Sequence, residues 1–269
     1  MAFAYFGATR LRVAVRTLLG PTLSKKIRAA QRSLFGNPHP KLFFSLDEVS
    51  ELAAKDVARA LSLAVLYSYG ADVEGDVAEF GTMSGSTAQA LAMAIVAAEA
   101  RSPWMTKKQL HLFDSFEGLP EISSDVDAQS PHVLTGVWAP KGCKVLSMPE
   151  LRRVVERLLP SSRVTIHKGW FADTIERLPS NTRLSVIHFD GDLYSSMIDA
   201  LVPCFERGFV TEGAVLCFDD WNCNKASDAF GERRAWIELV EKYNIKFSHA
   251  GNYGWACTKM IVHSYDRAR

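Results

Sequence analysis

The stretch DVAEFGTMSGSTAQALAMAIVAAEA, residues 76–100, decides the fold. DVAEF is a short apolar run of the kind that buries a strand, GTMSG is a glycine-bearing turn, and the alanine-rich remainder reads as a helix. Gly85, Ser86 and Thr87 open that helix with free N–H groups, and Gly81 lets backbone approach a ligand. Strand, turn and helix in this order form the βα unit from which α/β domains are built.

The unit repeats along the chain. QLHLFD (109–114), RVTIHKG (163–169), LSVIHFD (184–190) and GAVLCFD (213–219) read as further strands. Helices are expected over 148–159, 172–178, from Ser195 to about Phe205 and over 228–242, and IKFSHA and WACTKMIVH look like two closing strands. Upstream, Ser45 and Asp47 are plausible caps of a helix running to about Tyr69. Such alternation predicts a parallel sheet with helices on both faces and a ligand outside the carboxyl ends of the strands. From Ser115 to about Leu146 the chain is broken by Pro120, Pro131, Pro140, Gly136 and Gly142. A connection that long is expected to be a lid or binding loop. One domain, 45–269, follows an N-terminal extension, 1–44.

Charge separates the two. The chain carries +1 overall, but residues 1–46 hold eight Lys or Arg and no acid, leaving 23 basic against 30 acidic residues beyond. A net acidic body argues against nucleic acid as a partner. Leu23, Ile27, Ala30 and Leu34 share one helical face in the extension, with Lys26, Arg28 and Arg32 elsewhere. Such a helix can pack on the body, mediate dimer contacts or lie on anionic lipid; an organellar presequence ranks last. The five cysteines are odd in number, without CxxC or zinc-ligand spacing, and fit a reducing cytoplasm. No apolar stretch reaches the length of a membrane span, and the N-terminus lacks the pattern of a secretory signal. The expected place is the cytoplasm, with a peripheral contact through residues 1–40 at the inner face of the membrane as an open alternative.

The strand ends carry the chemistry. The first turn departs from GxGxxG, because Met83 and Ser84 stand where glycine would admit a pyrophosphate. Glu79 favours a cationic or amino-bearing ligand, and Asp114 stands where an acid hydrogen-bonds ribose hydroxyls. An amino acid joined to a nucleoside, as in S-adenosylmethionine, satisfies both. Asp190, Asp192, Asp219 and Asp220 end two strands in FDGD and FDDW, four acids that should not crowd together without a cation.

EFGTMSGST (79–87), LFDSFEGLP (112–120), HKGWFADTI (167–175), FDGDLYSS (189–196) and FDDWN (218–222), in this order and spacing, resemble the macrocin O-methyltransferase family. The resemblance covers about residues 47–263. It implies a class I S-adenosylmethionine-dependent methyltransferase fold, Rossmann-like, with a seven-stranded, mostly parallel sheet. The implied activity is methylation of sugar hydroxyls, or in some members phenolic ones, with a bound divalent metal. Glu79, Gly81 and the following turn (Thr82, Met83, Ser86, Thr87) are then assigned to the methionyl part of the cofactor, and Asp114 with Ser115 to its ribose. Gly169 and Trp170 fall at the adenine, though Trp170 and Phe171 can also be core aromatics. Asp190, Asp219 and Asp220 match metal ligands, Asp190 also bordering the cofactor, and Asp192 matches a general base.

Chemistry supports that division. Oxygen-only donors suit Mg²⁺, and no His or Cys joins the cluster to suggest zinc. A sugar hydroxyl hardly ionises near neutral pH, so methyl transfer needs a proton acceptor or a metal. A strand-end Asp also often caps the next helix, an alternative role for Asp192 and Asp220. FDDWN carries Trp where an aromatic such as Tyr is usual, residues 222–236 are polar, and His132 or Trp138 of the expected lid could touch the acceptor. The basic extension favours a glycolipid, polysaccharide precursor or other membrane-associated acceptor over a free glycosylated natural product. Two rivals stay open: a phenol or catechol methyltransferase, and a non-catalytic binding module.

Overall fold

Five parallel strands form the centre of the sheet: β1 (Asp76–Phe80), β2 (Leu110–Asp114), β3 (Val164–Lys168), β4 (Leu184–Phe189) and β5 (Val210–Phe218). In the computed structural model, residues 46–143 and 145–267 are described. The extension over 1–44 and the Ser45 cap lie outside them. β6 (Lys246–Tyr253) and β7 (Cys257–Ser264) close one edge, with β7 antiparallel to both β5 and β6. The strand order is β3-β2-β1-β4-β5-β7-β6. It reverses direction between β1 and β4, the switch point where such sheets bind ligands. Every residue of β4 is buried, as a central strand covered on both faces requires.

Side-chain alternation divides the core. Val77, Leu110, Leu112, Val186 and Val215 face the helices α1 (Leu46–Gly70), α2 (Ser86–Arg101) and α5 (Met148–Val155). Phe80, Phe113, Ile187, Phe189 and Phe218 face α6 (Phe171–Glu176), α7 (Tyr194–Glu206) and α8 (Gly231–Tyr243). Among the described residues no helix is long and apolar enough to cross a membrane.

The segment expected as a lid holds two four-residue helices, α3 (Asp125–Ala128) and α4 (Pro131–Leu134). Ser124 caps the first, accepting from the backbone N–H of Val126 and Asp127, and Ser130 caps the second, with Pro131 in its first turn. The helix expected over 148–159 ends at Val155. The one expected from 228 begins at Gly231, because Phe230 before it is extended, φ −141° and ψ 163°.

Candidate active site

Strand register brings the polar ends together. Asp190 N–H donates to the carbonyl of Phe80 at 2.8 Å, Gly81 N–H to that of Phe113 at 2.9 Å, and Asp219 N–H to that of Phe189 at 3.0 Å. Gly81 has φ +86°, and a Cβ there would stand 1.8 Å from the Asp190 carbonyl oxygen. The approach of β4 to β1 by itself therefore requires the glycine.

A cavity of about 540 Å³ opens over these ends. Gly81, Thr82, Met83, Asp114, Ser115, Gly169, Trp170 and all four acids line it. Glu79, Ser86 and Thr87 do not: Glu79 is fully buried on the α1–α2 face, and the two hydroxyl residues are the first two of α2. Asp114 is held from both sides. Its Oδ2 accepts from Thr82 N–H at 2.8 Å and the Thr82 hydroxyl at 2.7 Å, and its Oδ1 from Phe116 N–H at 2.7 Å. The Ser115 hydroxyl shapes the next turn, donating to the Gly118 carbonyl and accepting from Glu117 N–H, both at 3.0 Å. Both adjacent aromatics line the cavity, Trp170 39% exposed and Phe171 packed edge-on to Phe80 and Phe189 as well.

The segment expected as a lid is tied to itself beside this opening. Leu119 N–H donates to the Gly142 carbonyl, and Lys141 N–H to that of Leu119. His132 and Trp138 hold the lid from within and are absent from the cavity wall. His132 N–H donates to Asn224 Oδ1 at 2.9 Å, and its ring packs on buried Trp138 with centroids 4.6 Å apart. Leu119, Trp138, Leu193, Cys223 and Ala256 make a small apolar cluster beneath.

The acids differ in environment. Burial, then the charges of Asp219 and Asp220, pushes Asp190 well above the usual carboxylate range. Burial, then Asp192 and Asp219, does the same to Asp220, whose Oδ2 is buried without a hydrogen-bond partner. Burial raises Asp192 to about 6, against the lowering influence of the neighbouring Asp220 and Cys143, and its backbone is left-handed, φ +61°. Burial also acts to raise Asp219, but the neighbouring His188, and then the Cys257 thiol, bring it below the ordinary value.

The expectation that neither His nor Cys joins the acids fails. His188 is fully buried, with Nδ1 3.0 Å from Glu79 Oε1 and Nε2 3.8 Å from Asp219 Oδ1. Burial lowers its pKa, but Asp219 and Glu79 outweigh that and raise it to about 10. The Cys223 thiol donates to Asp220 Oδ1 at 3.1 Å and the Cys257 thiol to Asp219 Oδ1 at 3.2 Å. Cys257 arrives on antiparallel β7, a pairing that spacing in the chain does not reveal. Burial and then the neighbouring acids push both thiols up, so they stand protonated, as donors. Among the described residues no group of three or more His, Cys, Asp or Glu side chains is arranged so as to hold a metal ion. The donor chemistry still fits a hard cation: four carboxylates share one cavity wall, Asp190 and Asp220 are raised by burial and then by neighbouring acids, and Asp220 Oδ2 is orphaned.

The family model for macrocin-O-methyltransferase (TylF) matches residues 57–244. The chain belongs to that family. This member is 31% identical over 163 residues to 8-demethyl-8-(2,3-dimethoxy-alpha-L-rhamnosyl)-tetracenomycin-C 4'-O-methyltransferase of Streptomyces olivaceus, covering 60% of this chain and 59% of that one. It is 29% identical over 179 residues to demethyldecarbamoylnovobiocin O-methyltransferase of Streptomyces niveus, covering 64% and 63%. The chain thus spans about three fifths of the length of these curated relatives. Its fold is shared with the O-methyltransferase NovP (TM-score 0.58, 23% identity, 79% of each chain). It is also shared with the calicheamicin methyltransferase CalS11 (TM-score 0.56, 21% identity, 90% of this chain and 93% of that one).

Two further residues of this family member escaped the reading of its motifs. Glu232, at the start of α8, is fully buried and accepts Asp220 N–H on Oε2 at 3.0 Å, while its Oε1 has no partner. Asp127 of α3 accepts from the first N–H groups of α7. Nothing in their local sequence marks either, because each acts on an element distant in the chain.

Proposed function

We propose that the protein is an S-adenosylmethionine-dependent O-methyltransferase acting on a hydroxyl of a sugar or of a glycosylated small molecule, with Mg²⁺ bound. The observation that carries this reading is the meeting of Asp114, Trp170 and the four acids on one cavity at the sheet's switch point. Family membership supports the reaction class, and the relatives' names, which include a rhamnosyl and a novobiocin substrate, support a sugar-bearing acceptor.

In this assignment Asp114 and Ser115 receive the ribose, Gly169 and Trp170 border the adenine, and Gly81, Thr82 and Met83 with the α2 N-terminus (Ser86, Thr87) take the methionyl end. Glu79 supports that end from beneath, since it does not reach the cavity wall. Asp190, Asp219 and Asp220 hold the metal, which when bound lowers the pKa of an acceptor hydroxyl. Asp192 takes the hydroxyl proton as the oxygen accepts the methyl from sulfur. Its left-handed backbone sets the carboxylate apart from Asp190 two residues earlier. The sulfonium is already cationic, so the fastened lid contributes by positioning and by excluding water.

The cytoplasm is the place this reading expects, with residues 1–40 packing on the body or mediating dimer contacts; contact of those residues with anionic lipid is the alternative, and would make the acceptor a glycolipid or polysaccharide precursor at that surface. Sedimentation with anionic liposomes tests this: equal pelleting with and without residues 1–40 removes the membrane. For the reaction, methyl-labelled cofactor is offered with glycosidic and phenolic acceptors, with and without EDTA. Label in a glycosidic product that EDTA abolishes is the expected result, and turnover indifferent to both EDTA and Asp219→Asn overturns the metal.

A further inference from the structure

Glu79, His188 and Asp219 stand on or just beyond three adjacent strands, β1, β4 and β5, on the face that carries Val77, Val186 and Cys217. Glu79 and His188 are register partners, and both side chains are completely withdrawn from solvent. Nδ1 donates to Glu79 Oε1 at 3.0 Å, which fixes the plane of the ring. The opposite nitrogen, Nε2, is then directed at Asp219 Oδ1, 3.8 Å away, and has no other partner. That same oxygen accepts the Cys257 thiol at 3.2 Å, whereas Asp219 Oδ2 makes no hydrogen bond among the described residues. One oxygen of Asp219 is thus tied back into the protein and the other is left over at the cavity.

We propose that His188, oriented by Glu79, is a positioning residue for the metal site, holding Asp219 so that one carboxylate oxygen stays turned toward the cavity. The inference rests on the metal reading above. A buried acid–base pair that serves the core alone gives no reason for a nitrogen withdrawn from water to lack a hydrogen bond, nor for it to face an acid of the site. Ligating carboxylates are commonly held by such outer contacts, and removing one weakens metal binding by about 10–100-fold. The pair also accounts for Glu79: its place is under the site, one residue pair away from Asp219, rather than in the cavity.

The test is Mg²⁺ titration calorimetry on the full chain without acceptor, backed by Mn²⁺ binding followed by electron paramagnetic resonance, with thermal unfolding recorded alongside. His188→Gln removes the second contact. The double variant E79M/H188M removes the pair without leaving a lone buried charge, and it decides should the single variant not fold. Metal affinity weakened by about 10–100-fold in a cooperatively folding variant is expected. A folded variant that binds within about twofold of the parent makes the pair a core element only and overturns the inference, leaving the metal reading intact. A parent protein that binds neither ion overturns both.

Discussion

Asp127 on the lid accepts the backbone N–H of Tyr194 at 2.8 Å, the first residue of α7, and its second oxygen accepts from Ser195 at 3.0 Å. A buried carboxylate from one segment therefore caps a helix of another, where the helix dipole also favours negative charge. The helix begins two residues after Asp192, so the same contact fastens the lid and steadies the turn that carries the proposed base. Asp127→Ala should cost about 1–2 kcal/mol in urea unfolding, and limited proteolysis should cut within 115–146 at lower protease concentration than in the parent. Asp127→Asn, which keeps a carbonyl acceptor, should lie between.

Gly81 and Gly136 both have positive φ, +86° and +74°, yet differ in what surrounds them. A side chain at 81 meets the Asp190 carbonyl, while at 136 nothing lies within 4 Å. Gly81→Ala must part β1 from β4 and should cost about 3 kcal/mol or more. Gly136→Ala bears only the left-handed conformation, about 1 kcal/mol. Soluble yield and melting temperature compare the two directly.

Trp170 and Phe171 both line the cavity but differ in how far each also packs into the core. Phe171→Ala empties a contact with Phe80 and Phe189 and should lower stability by about 2–4 kcal/mol. Trp170→Ala removes a cavity wall and should leave unfolding within about 1 kcal/mol while weakening binding of S-adenosylhomocysteine in calorimetry about tenfold or more. Equal affinity in parent and Trp170→Ala would remove this residue from the cofactor site.

Much of this was legible in the chain, and the exceptions have physical causes. β2, β4 and β5 are largely apolar runs that end in an aspartate or are followed at once by one, so the alternation and these acids could be read directly. Seven strands, mostly parallel, follow from that alternation and the family resemblance together. The lid helices could not be seen, because four residues span barely one turn and show no periodicity. Glu79 was expected beside the cofactor, but alternation along β1 turns it the same way as Val77, into the core. Its partner His188 becomes visible only once β1 is paired with β4. Cys257 reaches Asp219 through antiparallel pairing across a stretch of nearly forty residues, which no local pattern encodes.

His167 supplies a dependence on pH away from the site. It stacks on Phe113 with centroids 4.2 Å apart, and its Nε2 lies 3.1 Å from His111 Nδ1. Burial, and then the charge of His111, lowers it to about 4 from an ordinary 6.5. The unfolded chain therefore binds a proton that the folded one refuses between those values, and stability falls as pH drops through that window. Full linkage would be worth about 3 kcal/mol, and partial exposure reduces this to about 1–2 kcal/mol. Urea unfolding at pH 7 and pH 4.5 should show the loss, and His167→Phe should lessen it; an unchanged slope would mean other groups carry the acid response.

Asp192 and Asp219 should separate proton transfer from metal binding. Asp192 has a left-handed backbone and sits on the cavity beside Asp220 and Cys143, whereas Asp219 is braced by His188 and Cys257. If the first is the base and the second a ligand, Asp192→Asn should keep Mg²⁺ affinity within a few-fold and lower kcat by about 10²–10⁴, with little change in KM for the cofactor. Asp219→Asn should instead weaken Mg²⁺ binding about tenfold or more, and raising the ion concentration should restore part of its rate. Calorimetry and steady-state kinetics at several Mg²⁺ concentrations distinguish the patterns. A rate lost in Asp192→Asn but recovered by added Mg²⁺ would make Asp192 a ligand, and the proton would then need another acceptor at the same cavity.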